Sequence, residues 1–159
     1  MKILLIVLFS VNFIVQPNID TIREAFKEAG KDNAKIIYFN SLTANVSIEN
    51  NNATLVAYKG AALTLQAKIA KKVKEKKTLF KEGVAYIEKA IKKNPDEIET
   101  RFIRLVIQEN TPEILKYKSK IEEDKEFVLA HFDEIESPLL KKDIKAYIVQ
   151  SGTFNNTQK

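Results

Sequence analysis

Apolar residues recur at helical spacing along most of this chain. In PNIDTIREAFKEAG, residues 17–30, Ile19, Ile22, Phe26 and Ala29 share one stripe, and Gly30 ends it. Thr21 and Glu24 have capping-box spacing, with Asn18 or Asp20 as alternative caps. In NAKIIYFNSLTANVS the cluster KIIYF packs β-branched and aromatic residues together, which would suit a strand. No partner strand is evident elsewhere, so a buried helix is the preferred reading. ENNN marks the next break. ATLVAYKGAALTLQAKIAKKVKEKK then reads as one long helix behind an Asn cap. Within it, Gly60 beside Ala57, Ala61 and Ala62 leaves a small surface that another helix could approach closely.

A second helix over 79–93 places Leu79, Phe80, Gly83, Ile87, Ala90 and Ile91 on one side, and Lys81, Glu88, Lys89, Lys92 and Lys93 on the other. Asn94-Pro95 stops it. Asp96 and Glu99 have capping-box spacing for a helix through EIETRFIRLVIQEN. Thr111-Pro112-Glu113 is a further start signal for one or two helices reaching about residue 135. Ser137-Pro138 opens a last helix with Leu139, Leu140, Ile144, Tyr147 and Ile148 as its apolar face. The pattern predicts an all-α fold: an antiparallel array of about six or seven helices stacked as hairpins. It is expected to form a single domain over 17–151, followed by a mobile tail, 152–159.

Residues 1–16 break this pattern. Lys2 precedes an apolar run over 3–15 that contains Asn12 and is shorter than the roughly 17–25 residues of a bilayer-spanning helix. The run fits a secretory signal peptide, although no A-x-A motif precedes Pro17. An uncleaved anchor or a buried N-terminal helix are the alternatives. Export to a periplasmic or extracellular location is therefore the expectation.

Composition agrees with helices. Among 159 residues there are four glycines and four prolines, too few for the many turns of an all-β fold. The lack of cysteine excludes disulfides, thiol nucleophiles and thiolate metal sites. A formal charge of +5 permits an anionic partner without demanding one.

The segment AIKKNPDEIETRF carries one family signal. Gly83, Ile87, Ala90 and Pro95 have the spacing of the small residue, large residue, Ala and Pro of a tetratricopeptide repeat. The segment resembles the helix end, proline turn and next helix start of that repeat. Small residues let paired helices approach, the large one fills the groove, and Pro stops the helix. Gly60 and Leu63 loosely echo the repeat's first helix. The Gly60–Gly83 spacing exceeds the standard by about 11 residues, enough to lengthen each helix by about one and a half turns. There is no tryptophan, and adding one repeat length to Gly83, Ala90 and Pro95 gives Tyr117, Asp124 and Leu129, so no second copy follows in phase. The resemblance implies a superhelical hairpin array that binds a protein or peptide partner.

Catalytic constellations do not emerge. His131 is the single histidine, and H-E-x-x-H, a Gly-rich phosphate loop and G-x-S-x-G are absent. Glu122-Glu123-Asp124 and Asp133-Glu134 could form an acid/base pair only in a pocket that separates their pKa values. A solvated charged face is the plainer reading. The expected protein is non-catalytic and needs no cofactor or metal. Two binding candidates stand out. Arg101, Arg104 and Gln108, in line with Glu97, could form a planar donor row for a partner's carboxylate, or merely a Glu97–Arg101 pair on a wet face. Lys72, Lys74 and Lys76, within the basic run 71–81, could attract an anionic envelope surface. That run lacks interleaved aromatics, so no nucleic-acid partner is expected.

Overall fold

Local signals start and stop the helices of the computed structural model, which describes residues 17–154. Asn18, Asp32, Asn52 and Ser137 each accept a backbone N–H at a helix start. Among the described residues there are seven α-helices and no strand: α1 (Ile19–Glu28), α2 (Asn33–Leu42), α3 (Ala53–Ile69), α4 (Val73–Lys93), α5 (Ile98–Glu109), α6 (Ile121–Ala130) and α7 (Pro138–Gln150). Short 3-10 turns occupy Glu113–Leu115 and Phe132–Glu134. The all-α expectation holds. The anticipated signal segment, 1–16, lies outside the described residues.

KIIYF forms part of α2, buried on one side only. Ile36 and Phe39 enter the core while Ile37 and Tyr38 face solvent. The α1 cap is Asn18, whose side chain accepts from the Asp20 amide.

Two departures from the expected boundaries matter. The lysine-rich segment does not continue α3: the helix ends at Ile69, the chain turns at residues 70–72, and α4 begins at Val73. Ala70 leaves the helical region with ψ 143°, although neither Gly nor Pro marks the turn. Tertiary packing explains it. Gly60 and Gly83 lie at nearly equal distances from the turn and meet face to face. A Cβ on Gly60 would sit 2.6 Å from the Gly83 carbonyl oxygen, and one on Gly83 would sit 2.6 Å from the Gly60 oxygen. The two backbones touch, and a turn midway between the glycines brings them into register. Thr64 beside Gly83 and Ile87 beside Gly60 show that the hairpin is antiparallel. Lys93, bonded to the Asn50 carbonyl, extends the pairing to the far end.

The second departure follows Pro112. The chain makes a single 3-10 turn, and Lys116 adopts a left-handed conformation, φ 50°, which ends it. Only at Ile121 does α6 begin. In the stretch 116–120 Tyr117 is the one residue that packs inward, too little apolar face to hold a longer helix.

Two apolar clusters result. The larger joins α1–α4 with Ile103 and Ile107 of α5, and holds the Phe26, Phe39 and Tyr58 rings in tilted and edge-on contact at 5.5–6.2 Å. The smaller joins α5, α6 and α7 through Phe102, Leu105, Val128, Leu140, Ile144 and Ile148. Phe154, assigned to the tail by sequence, lies 3% exposed within it. Helix α7 returns to α1, bridged by Lys27–Asp143 at 2.7 Å and by Arg23 donating to Ser137 at 3.3 Å.

Candidate functional site

The arginine stripe faces inward. Arg104 is 3% exposed and forks onto fully buried Asp124, with Nε donating to Oδ2 at 2.6 Å and Nη2 to Oδ1 at 2.7 Å. Its Nη1 donates to Glu88 of α4 at 2.9 Å, and Glu88 also accepts from Tyr117. Burial alone would lower the Arg104 pKa, but the hydrogen bonds and charges of Asp124, then of Glu88, raise it overall. Arg101 donates to Glu123 and Asp124, bonds the Pro95 carbonyl through Nε, and covers the Phe127 ring at 4.7 Å. Gln108 is buried and accepts the Lys120 amide, closing the row. The expected donor row for an external carboxylate is thus an internal α5–α6 seam whose carboxylates come from this chain. The Glu97–Arg101 pair gives way to it, and Glu97 instead caps α5.

A second buried network was not legible in the sequence. Glu99 is no capping-box partner of Asp96. It accepts both Arg23 Nε (2.8 Å) and Nη2 (2.7 Å), and the Tyr58 hydroxyl (2.6 Å). This ties α1, α3 and α5 together. Burial, then the Glu99 charge, pushes the Tyr58 pKa well up, so the hydroxyl stays protonated and donates.

The lysines behave differently. Lys72, Lys74 and Lys76 are exposed around the α3–α4 turn and the start of α4, and no carboxylate among the described residues pairs with them. Lys72 is the N-cap residue, yet no side chain caps this end. Four lysines within six positions, 72–77, thus sit at the positive end of a helix dipole, where cations are disfavoured. Beside them lies an apolar cleft of about 370 Å³ between the end of α3, the start of α4 and the segment after α5. Leu65, Ala67, Phe80, Ile107 and Leu115 line it, with Lys68, Lys76 and Lys77 at its edge. Val73 on its lip is 68% exposed, and Ile114 next to Leu115 is 86% exposed. Thus the basic run and the post-Pro112 turn, far apart in sequence, frame one surface.

That cleft abuts a second one, of about 290 Å³, between α1, α3, α5 and α7. Phe26, Tyr58, Phe102, Val106, Leu140 and Tyr147 contribute its walls. Leu65, Lys68, Ile107 and Asn110 border both.

The remaining polar candidates have local partners. His131 ends α6, stacks on Phe127 with ring centroids 4.1 Å apart, and holds the Phe127 carbonyl through Nδ1 at 2.9 Å. Glu122 pairs with Lys125, and Asp133 with Lys141. Among the described residues no cluster of three or more His, Asp or Glu side chains could hold a metal, and no helix is long and apolar enough to cross a membrane. No protein-family model, curated protein or solved structure matches the chain.

Proposed function

We propose that this chain is a non-catalytic interaction module of an exported protein, whose binding surface is the apolar cleft edged by Lys68, Lys76 and Lys77. It is a stack of helical hairpins of tetratricopeptide-like type whose last helix folds back onto the first. Buried Gly83, Ile87 and Ala90 on α4, followed by the Pro95 turn, support that resemblance. The observation that carries the functional reading is the coincidence of an open apolar cleft, exposed Val73, Ile114 and Leu115, and lysines without carboxylate partners. Such a surface suits a protein or peptide segment with apolar anchors and negative charge. A labelled peptide of alternating Leu and Glu is a suitable probe, read by fluorescence anisotropy. Leu115→Asp should abolish its binding and shift stability by no more than about 0.5 kcal/mol. Binding unchanged by Leu115→Asp would remove the cleft as the site.

A second reading is supported by the uncapped lysines: association with an anionic envelope surface. Each basic residue near such a surface contributes about 1 kcal/mol. Reversing Lys72, Lys74 and Lys76 together should weaken sedimentation with phosphatidylglycerol vesicles by at least about 100-fold. Unchanged sedimentation ends this reading.

A further inference from the structure

The geometry points to a single-chain anionic amphiphile, a fatty acid or its close chemical kin, as an occupant of one trough made from both clefts. This rests on the cleft being the binding surface and adds the ligand's chemistry. Leu65, Lys68, Ile107 and Asn110 line both cavities, so the two volumes are immediate neighbours on either side of these four residues. Each alone, at about 370 and 290 Å³, lies near the lower end of small-molecule pockets, which run from about 300 to 1,000 Å³. A chain laid across those shared residues would run along an elongated apolar path from the start of α4 to the space between α1 and α7.

Charge is placed unevenly along the path. At the inner end Lys27 is paired with Asp143, and Arg23 is engaged by Glu99 and Asp20. At the outer end Lys76 and Lys77 have no carboxylate partner among the described residues, and Lys68, where the two cavities adjoin, has none either. A ligand with one anionic head and one long apolar tail matches this polarity: its head meets Lys76 and Lys77, with Lys68 within the same basic edge, and its tail passes over Leu65 and Ile107 toward Phe102 and Leu140. A zwitterionic or uncharged chain would leave the lysines unanswered. A two-chain lipid would need a second apolar branch, and the shared border offers one path.

Calorimetric titration of the full chain with octanoate, decanoate and dodecanoate tests the idea. Affinity is expected to rise about fourfold per buried methylene. Lys76→Glu/Lys77→Glu should weaken dodecanoate at least tenfold and leave dodecanol nearly unchanged. Ala146→Trp, at an exposed position bordering the inner cavity, should remove the gain from longer chains but spare octanoate. Val149→Trp, on the solvent face of α7, is the control and should bind as wild type. Affinity that is flat with chain length, or indifferent to Ala146→Trp, overturns the trough. If dodecanoate fails to bind while the Leu/Glu peptide binds, the amphiphile is wrong and the cleft reading stands. If neither binds, both fall.

Discussion

The α3–α4 hairpin and the α5–α6 pair are adjacent seams built on opposite chemistry. At the first, two helices touch because nothing stands between them: Gly60 and Gly83 have no side chain, and each backbone fills the other's space. At the second, helices are held by a buried guanidinium–carboxylate fork, Arg104 on Asp124, buttressed by Glu88, Arg101 and Glu123. Close packing of small residues is shape-specific and indifferent to pH and salt. A buried ion pair contributes little net stability over an apolar isostere, yet breaking it is severe, because one charge stays buried alone. The two seams should therefore fail in different ways.

The largest effect is expected at the ionic seam. Asp124→Asn should cost about 3 kcal/mol, the low end of the range for a broken buried pair, because Glu88 and Glu123 remain near Arg104. Urea denaturation measures it. Replacing both partners, Arg104→Met with Asp124→Leu, should recover most of that loss. If the double variant is no better than the single, the seam relies on its polar geometry rather than on pairing a charge already buried.

Next comes the glycine crossing. Alanine is the better helix former by about 1 kcal/mol, so Gly60→Ala would stabilise an open helix. Here the added Cβ meets backbone, which cannot rotate away. A net loss of about 2–3 kcal/mol is expected, lowering the melting temperature by roughly 10 °C. Gly83→Ala should match it, because the contact is reciprocal. A stabilising result at either site would refute the backbone contact.

Acid should separate the seams further. Hydrogen bonds from Lys120, then Arg101, hold the Glu123 carboxyl down to about 2 from an ordinary value of 4.5. A depressed pKa contributes stability that is complete above the unfolded value and is lost as pH falls through the folded one. Thermal melts from pH 5 to pH 2 should thus decline at the α5–α6 seam. Half exposure of Glu123 keeps the contribution small. Glu123→Gln should flatten this limb, whereas the acid limb of Gly60→Ala should parallel wild type. Identical limbs for Glu123→Gln and wild type would show that the exposed pair contributes nothing.

The seams also differ in how far sequence revealed them. The cluster Ala57, Gly60, Ala61, Ala62 announces a close helix approach, because Gly60 costs a helix interior about 1 kcal/mol relative to Ala and so calls for packing that offsets it. Gly83, Ile87 and Ala90 announce the facing surface at their own spacing. Arg101 and Arg104 announce only that donors lie in a row. Whether the acceptor is a partner or α6 depends on a turn at Lys116 that has no Gly to signal it. Glu99 misleads for a similar reason: three residues after Asp96 it imitates a cap, and its real partners, Arg23 and Tyr58, are remote in sequence. The cleft was half visible. The lysine run stood out, but Leu115 and Ile114 gained meaning only when the chain brought them beside it.

The smallest effect bears on that cleft, and it has an unusual sign. Three helices follow the dipole rule at their starts: Asp20 opens α1, Glu99 opens α5, and Glu122, Glu123 and Asp124 open α6. The start of α4 does the reverse, with Lys72, Lys74, Lys76 and Lys77 around an uncapped end and Glu75 alone against them. Reversing one charge there, Lys74→Glu, should therefore stabilise the protein by about 0.3–1 kcal/mol at low ionic strength, and the gain should shrink in salt. The same change should weaken sedimentation with phosphatidylglycerol vesicles if the lysines meet an anionic surface. Higher stability with poorer binding is the signature of residues kept for a ligand rather than for the fold. If Lys74→Glu instead destabilises the protein, the lysines belong to the α3–α4 seam and the case for a binding surface there loses its charge.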